Sequence, residues 1–542
     1  MIKSNLKTVY EAYEDFIKSQ EPKREILHFY GKTITAEEFE KNVDNYTYHL
    51  IKLGIKSGDK VGYTMANRPE LFYIFISIAR LGACAVPLFH MIPDLTKATT
   101  FKNINVKCVI TTSEQFPSLK EASEKINAQF KLVTIEENSL ADYTFSNTVN
   151  KDINILDFIL KEGEGSSFEF VIASSSGTTG IPKRIAMTQS NIASEIYAAI
   201  ELGRPTQKEL TQQGYKRINI AAFPLSTSGM ITQIGSLLSG NCQIYSSDVS
   251  PVKYLELITM WKPTTITAPP AFFEAILSLP NLNEYDLTSV NRISSGMDFI
   301  SPSLIKRLKD KFVNIKVFSN GYGLSETCNV IMTYNTYIEE NQSIPTNIVK
   351  LVENIGNEID IRDEEGNSIP PGSIGELYVK GNNVVSGYLN NETETLNSFK
   401  DGWFKTGDIV RNEGNNTITL LGRKKYLIKR GGKSISPIVV QNYINKLNGV
   451  KSSAVVGVPH PLYGEMIWAF IVKHEGAEVE LKDIMKHCRS QLANYMVPDQ
   501  VTFIDDIPKN SGVGKVNFEK LKQIAEAELK NILGGAYHEQ KN

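Results

Sequence analysis

The chain is poor in the residues that build disulfide frameworks, metal cages and membrane spans, and each shortage excludes a class of protein. Its five cysteines (Cys84, Cys108, Cys242, Cys328 and Cys488) are odd in number, widely spaced and contain no C-x-x-C pair. That argues against a disulfide framework and a structural zinc site, and predicts a reducing compartment. The seven histidines have no metal-ligand spacing, and none stands in a G-x-S-x-G context. No G-x-G-x-x-G fingerprint is present, so nothing suggests a nicotinamide enzyme. An excess of one charge is missing too. The 58 Lys and Arg against 60 Asp and Glu leave a net charge of -2, which offers no global attraction to nucleic acid or an anionic membrane. The one membrane-like run, 71–92, is broken by Arg80, Gly82 and Pro87 and reads as a buried helix followed by a buried strand. The opening MIKSNLKTVYEAYEDF has charges where a signal peptide needs an apolar core, so the expectation is a cytoplasmic protein with no stable membrane span.

At 542 residues the chain is too long for one compact core, so two or more domains are expected. Helix-like spacing at 36–53 and 71–81 alternates with strand-like runs at 60–65, 107–112 (KCVITT) and 168–174 (FEFVIAS). This pattern predicts an α/β fold with substantial parallel sheet. GELYVK at 375–380 and TITLL at 417–421 read as strands with no helix between them, a smaller antiparallel or barrel-like part. The texture changes near 422–425, where GRKKYLIKRGGKSISP leads into short helix and strand units. The expected division is a large N-terminal domain, 1–423, and a small α+β C-terminal domain, 424–542.

The most informative segment is SSSGTTGIPK at 174–183, after a predicted strand and before a helix expected to begin near Ser190 or Asn191. Gly177 and Gly180 permit backbone conformations in which several N–H groups converge on an anion. Ser175, Ser176, Thr178 and Thr179 add hydroxyl donors, and Lys183 adds positive charge. Pro182 stands where a Walker A motif needs its second glycine, so this is a different phosphate loop. Taken alone, such a stretch would be an exposed polar loop.

It does not stand alone. SSSGTTGIPK resembles the phosphate-binding signature of the adenylate-forming superfamily: acyl-CoA synthetases, luciferases and nonribosomal-peptide adenylation domains. The resemblance continues in order through APP (268–270), SSGMD (294–298), NGYGLSE (320–326), GELYVKG (375–381), GYL (387–389), DGWFKTGD (401–408), 422–432 and GVGK (512–515). LGACAVP at 81–87 fits as well, so the likeness spans nearly the whole chain.

The resemblance implies a carboxylic acid substrate whose carboxylate attacks the α-phosphate of ATP. The resulting acyl-AMP is then consumed by a thiol. It places Ser175, Thr178, Thr179 and Lys183 on the β- and γ-phosphates and Glu326 on Mg²⁺, which favours a carboxylate together with phosphate oxygens. It sets Tyr322 against adenine, with Ser295, Gly296 and Met297 on the other side and Asn320, Gly321, Gly323 and Ser325 in the same nucleotide-binding motif. Asp408 resembles the aspartate that accepts from both ribose hydroxyls, a task for a group with two acceptor oxygens and no donor. Arg423 resembles the arginine of the ribose–phosphate region, and Lys515 the catalytic lysine on the attacking carboxylate and α-phosphate. Lys425 falls at the hinge about which the C-terminal domain swings, bringing Gly431 and Gly432 towards the thiol arm. Alone, Glu326, Asp408 and Lys515 would be ordinary surface charges.

Some positions depart from the pattern. Arg184 replaces a usual glycine, Gln189 a common histidine, Tyr426 a common aspartate and Val439 a common glutamate, and PKNSGVGK is one residue longer than usual. None of these removes an implied phosphate or magnesium ligand. In AAFPLSTSG at 221–229, the expected acid pocket includes Ala221, Ala222, Phe223, Ser226, Thr227 and Ser228. It lacks the aspartate that holds an α-amino group. Ala221 and Ala222 cannot hydrogen-bond a ring hydroxyl, and a buried unpaired polar group is costly. The expectation is an aryl acid without an ortho hydroxyl or a more apolar acyl chain, not an α-amino acid.

Two acceptors stay open. VPHPLYGEMIWAF at 458–470 resembles acyl-CoA synthetases and favours CoA. The PLS-T-SG phrasing, Arg184, Arg430–Gly432 and GVGK resemble stand-alone aryl-acid–AMP ligases, which load the phosphopantetheine of a separate acyl or aryl carrier protein. A homodimer is among the assemblies allowed. A luciferase-type oxidation is a third enzyme class. A nucleotide-binding pseudo-enzyme would be favoured by the loss of Lys515, Glu326 or Asp408, and all three are present.

Overall fold

The computed structural model describes residues 8–145, 153–174, 183–212, 217–296, 298, 300–337, 347–352, 356–509 and 516–539. Its helices begin where the sequence supplies caps. Helix Ala36–Lys52 opens on a capping box, with Glu38 N–H donating to the Thr35 hydroxyl and the Glu38 carboxylate accepting from Thr35 N–H. It buries Phe39, Val43, Tyr46 and Leu50, a spacing that keeps one face on the core. Helix Glu70–Arg80 is buried from Leu71 to its end, and strand Cys84–Pro87 follows, as the run at 71–92 predicts. Its terminal Arg80 is buried but paired, 2.5 Å from Asp44 and 3.4 Å from Glu14, which is how a guanidinium is retained in a core. No helix among the described residues is long and apolar enough to cross a membrane.

Three sheets organise the chain. The first has seven strands in the order Tyr143–Thr144, Lys131–Thr134, Cys108–Thr111, Lys60–Tyr63, Cys84–Pro87, Glu169–Ser174 and Arg184–Thr188, and only the last pair is antiparallel. Strand Arg184–Thr188 lies between the phosphate-loop segment and helix Gln189–Gln212, where the sequence suggested none.

The second sheet has fourteen strands. A parallel part runs Glu25–Phe29, Cys242–Tyr245, Ile218–Ala221, Thr265–Thr267, Arg292–Ser295 and Val317–Leu324. Beyond it the strands continue antiparallel through Asn329–Tyr337, Ile348–Leu351, Thr417–Arg423, Trp403–Gly414, Ile374–Lys380 and Glu358–Arg362. The antiparallel part read from GELYVK and TITLL is therefore continuous with the parallel one. A short helix, Glu392–Ser398, does lie between those two strands.

The chain leaves this sheet at Arg423, makes a 3₁₀ turn at Lys424–Tyr426, and enters a separate five-stranded sheet at Ile428. Apolar clusters on its strands include Val455, Ile467 and Ile471 in one set and Val456, Trp468 and Phe470 in another. That alternation along each strand puts an apolar layer on both faces.

Candidate active site

The carboxyl ends of the parallel strands in the second sheet, the adjoining antiparallel strands and the segment after Arg423 enclose a cavity of about 1980 Å³. A crevice at the carboxyl ends of parallel strands is the general ligand position in open α/β sheets. The cavity is larger than a pocket for one small ligand.

At one end lies Asp408, almost fully buried. It is the direct cross-strand partner of Arg423, whose Nε lies 2.8 Å from Oδ1. The Tyr322 hydroxyl donates to Oδ2 at 2.6 Å. Arg423 Nη1 also donates to Thr406 O, and the Asp408 N–H donates to the Thr406 hydroxyl at 3.0 Å. Burial pushes the Asp408 carboxyl up, against the opposing pull of the Arg423 charge and the Tyr322 hydrogen bond. Tyr322 reaches this position at a bulge in which Tyr322 and Gly323 face Met332 and Val330. A Cβ on Gly323 would sit 1.4 Å from Asn329 O, so only glycine fits there. Gly296 approaches the same strand, where a Cβ would meet Gly321 O at 3.1 Å. Ser295 and Asn320 are buried beside it, and Ser325 stands in the turn Ser325–Thr327 that carries Glu326.

A second group of charges lines the same cavity. Lys183 Nζ forms an ion pair with Glu394 and lies 4.8 Å from the centre of the Tyr388 ring. The Tyr388 hydroxyl donates to Glu326 Oε1 at 2.9 Å. Tyr388 therefore joins the cation expected for phosphate to the carboxylate expected for magnesium. Leu389 N–H donates to Arg184 O, which ties this loop to the hairpin strand Arg184–Thr188. Glu394 and Tyr388 were not singled out in the sequence. The signal was there, as an acidic first turn (Glu392, Glu394) just after the GYL motif. Gln189 is buried, accepts from Val9 N–H and donates to Ala79 O, so the departure from histidine is absorbed by the fold.

Several expected residues fall outside the described ones: Ser175, Ser176, Gly177, Thr178, Thr179, Gly180, Met297 and Lys515. The residues flanking them do converge. Ser174 pairs with Arg184, and Lys183 lines the cavity. Lys509 and Val516, which flank the segment carrying Lys515, form an antiparallel bridge, and both line the cavity. At the junction Lys425 lines the cavity too, with its Nζ 4.2 Å from the centre of the Tyr426 ring. Partial burial and then the Arg423 charge lower its pKa to about 8. Tyr426 in turn contacts Phe518, with ring centres 4.6 Å apart. Gly431 and Gly432, both at positive φ, form an exposed turn away from the cavity lining.

The residues expected around the acid differ in their surroundings. Phe223 and Ser228 line the cavity, whereas Ala221, Ala222, Ser226 and Thr227 are not among its lining residues. Ala222 packs into the apolar cluster with Ile220 and Ile266, and the Ala221 carbonyl accepts from the Tyr254 hydroxyl at 2.8 Å. The 223–225 turn is fixed by a buried residue not foreseen, Asn67, which donates to Phe223 O and accepts from Leu225 N–H.

The inner wall of the cavity comes instead from one face of the parallel strands. Asn219, Thr265, Thr267, Arg292, Ser294 and Ser319 all line it. The alternate residues Ile220, Ile266, Ile293 and Phe318 pack into an apolar cluster, as period-two alternation requires. Helices Gln189–Gln212 and Thr227–Leu238 contribute the opposite wall, with Gly235 close against Ala199. Glu195 on the first helix is buried, accepts from Val330 N–H through Oε1, and has no partner for Oε2 among the described residues. Burial raises its pKa to about 8. Gln233 on the second helix is fully buried, accepts from the Tyr245 hydroxyl, and has no acceptor for Nε2 among the described residues.

A family model described as AMP-binding enzyme matches residues 15–389, and one described as AMP-binding enzyme C-terminal domain matches residues 440–515. The chain is 26% identical over 492 residues to a feruloyl-CoA synthase from an Amycolatopsis species, covering 90% of this chain and 93% of that protein. It is 27% identical over 504 residues to an oxalate–CoA ligase from Arabidopsis thaliana, covering 91% and 94%. The fold superimposes on the amide bond synthetase McbA from Marinactinospora thermotolerans with a TM-score of 0.82 at 20% identity, covering 95% of this chain and 99% of that one. It superimposes on ATP-bound MatB from Rhodopseudomonas palustris with a TM-score of 0.79 at 23% identity, covering 95% and 99%. At these identities the structural likeness speaks for the fold.

Proposed function

We propose, because the chain belongs to the AMP-binding enzyme family and because of the site above, that it joins a carboxylic acid to a thiol through an acyl-adenylate. The observation that carries the reading is convergence. Asp408, Arg423 and Tyr322, together with Lys183, Tyr388 and Glu326, line one cavity, a space suited to a nucleoside triphosphate.

In the first half-reaction a carboxylate oxygen of the acid attacks the α-phosphorus, the α–β P–O bond breaks, and pyrophosphate leaves. Two anions must be brought together, so the work of the site is charge neutralisation and orientation. Asp408 accepts from the ribose hydroxyls while Arg423 keeps the buried carboxylate compensated. Lys183 exchanges its Glu394 partner for phosphate oxygens, and Lys515 meets the attacking carboxylate. A bound Mg²⁺ would supply neutralisation of the triphosphate charge. Glu326 fits that ion: it is a carboxylate on the cavity wall, oriented by Tyr388 through Oε1, and Mg²⁺ takes one or two carboxylates with the substrate's oxygens.

In the second half-reaction a thiolate attacks the acyl carbon, the bond to the phosphate oxygen breaks, and AMP leaves. Residues 424–542 act as a mobile C-terminal domain hinged near Lys425. The pose described, with Lys509 and Val516 at the cavity and Gly431–Gly432 away from it, suits the adenylating step. CoA is the favoured acceptor, since the feruloyl and oxalate relatives are both named for it. The test is to trap the adenylate with hydroxylamine and then supply CoA or a phosphopantetheinylated carrier protein. Hydroxamate formation dependent on ATP, and thioester formation with CoA, support the reading. Absence of hydroxamate with every acid tried would count against it.

A further inference from the structure

The helical wall of the cavity carries an acidic group that the two half-reactions above do not use. Glu195 stands on helix Gln189–Gln212, lines the cavity and is only 6% exposed. Its Oε1 accepts from Val330 N–H at 3.3 Å, and its Oε2 meets no donor among the described residues. No lysine or arginine among those residues pairs with it. Val330 also fixes where this carboxyl lies. It is the cross-strand partner of Gly323, and its side chain is 3.5 Å from where a Cβ on Gly321 would sit. One residue therefore separates Glu195 from the segment expected to hold the nucleotide.

The surroundings supply no counter-charge. Strand Asn329–Tyr337 and helix Thr227–Leu238 pack on the same helix, and neither contains a charged side chain. Helix Val9–Lys18 and strands Glu169–Ser174 and Arg184–Thr188 pack on it too. None of their charged groups (Glu11, Glu14, Asp15, Lys18, Glu169, Arg184) acts on Glu195, whose pKa burial raises and the Val330 N–H lowers. The one titratable neighbour among the described residues is the buried Cys328 thiol, pushed up first by burial and then by Glu195. A carboxyl in such a wall either keeps its proton or holds an unpaired charge, and both are unfavourable. An apolar acyl chain beside it changes neither. A substrate hydroxyl would donate to Oε2 but leave the charge unpaired, whereas an ammonium answers both needs.

We propose that Glu195 reads an amino group on the acid, carried beyond the α-carbon, and so selects an amino-substituted carboxylic acid. The inference rests on the adenylation reading above and narrows its substrate class from aryl or fatty acids to acids with a basic substituent. No covalent bond changes at Glu195. The ammonium pairs with the ionised carboxylate, and below about pH 8 the proton that Glu195 holds in the empty site is released to solvent.

The test is ATP–pyrophosphate exchange with β- to ζ-amino acids, each beside the hydroxy acid and the unsubstituted acid of the same length. Wild type and Glu195→Gln, which keeps the shape, are measured from pH 6 to pH 9, with thermal unfolding to establish that both are folded. At pH 8 wild type should favour the best amino acid over its unsubstituted counterpart by about a hundredfold or more in kcat/KM, and over the hydroxy acid by less. That ratio should fall as pH drops below about 8, by up to about tenfold per pH unit. Glu195→Gln should bring the ratio close to one and remove its pH dependence. A merely structural Glu195 would change the rates with all acids together and leave the ratio alone. If Glu195→Gln does not fold, Glu195→Asp withdraws the carboxyl from the ligand, and its ratio should also fall. Preference for the hydroxy or unsubstituted acid at every length, or a ratio that ignores Glu195, overturns the inference while exchange itself leaves the adenylation reading standing. No exchange with any acid overturns both.

Discussion

The Tyr322 hydroxyl holds Oδ2 of Asp408 at 2.6 Å while Arg423 Nε holds Oδ1 at 2.8 Å, so each oxygen of this buried carboxyl group already has one donor. Each oxygen retains acceptor capacity, and that remaining capacity is what two ribose hydroxyls would use. Asp408→Ala should therefore weaken AMP binding by about 1.5–3 kcal/mol, the scale of hydrogen bonds to a charged group. Calorimetric titration measures it. Tyr322→Phe removes one donor to the same carboxyl group and should cost about 1–3 kcal/mol of stability.

Tyr388 touches both Glu326 and Lys183, so the carboxylate expected on the metal and the cation expected on phosphate share one support. Glu326→Gln keeps the shape and the Tyr388 contact but removes the charge that favours a divalent cation. The Mg²⁺ concentration giving half-maximal pyrophosphate exchange should rise by about tenfold. A titration of exchange rate against Mg²⁺ at fixed ATP gives the answer.

Glu195 makes stability depend on pH in an unusual direction. Its pKa is raised from 4.5 to about 8 in the folded chain. Between those values the native state holds a proton that the unfolded state has lost, so stability falls as pH rises through the window and levels off above it. Glu195→Gln removes this dependence. The variant should be more stable than wild type at pH 8.5 by roughly 1–3 kcal/mol, with the gap closing towards pH 5. Denaturant unfolding at the two pH values checks both the sign and the size.

Lys425 sits in the 3₁₀ turn between the second and third sheets, its ammonium over Tyr426. A proline there fixes φ and restricts rotation about the junction. Lys425→Pro should slow thioester formation by about tenfold or more, as hinge changes do, and slow pyrophosphate exchange much less. Separate assays of the two half-reactions distinguish this from a general loss of folding.

Much of this arrangement is legible in the sequence because it is local. The buried helix and strand at 71–92, the turn that carries Glu326 and the strand that carries Asp408 all lie in short contiguous motifs. The acid pocket is not local, and there the reading stopped short. The resemblance sets Ala221 and Ala222 near the acid, and in the fold Ala222, just past its strand, packs into the apolar cluster. The better signal was alternation: N-I-A at 219–221, T-I-T at 265–267, R-I-S at 292–294 and V-F-S at 317–319 each have an apolar residue at the centre. Four such strands side by side make a sheet with one oily face and one largely polar face, but only their register shows that they are neighbours. Glu195 and Gln233 were hidden for a related reason: on a helix, a polar residue facing a cavity has the same spacing as one facing solvent.

The most direct test of the central claim is acid-dependent ATP–pyrophosphate exchange, with Lys515→Ala run beside the wild type. The account predicts label from pyrophosphate entering ATP only when a suitable acid is present, with the rate collapsing in the variant although ATP still binds. A folded, ATP-binding wild-type protein that exchanges no label with any mono- or dicarboxylic acid would contradict it.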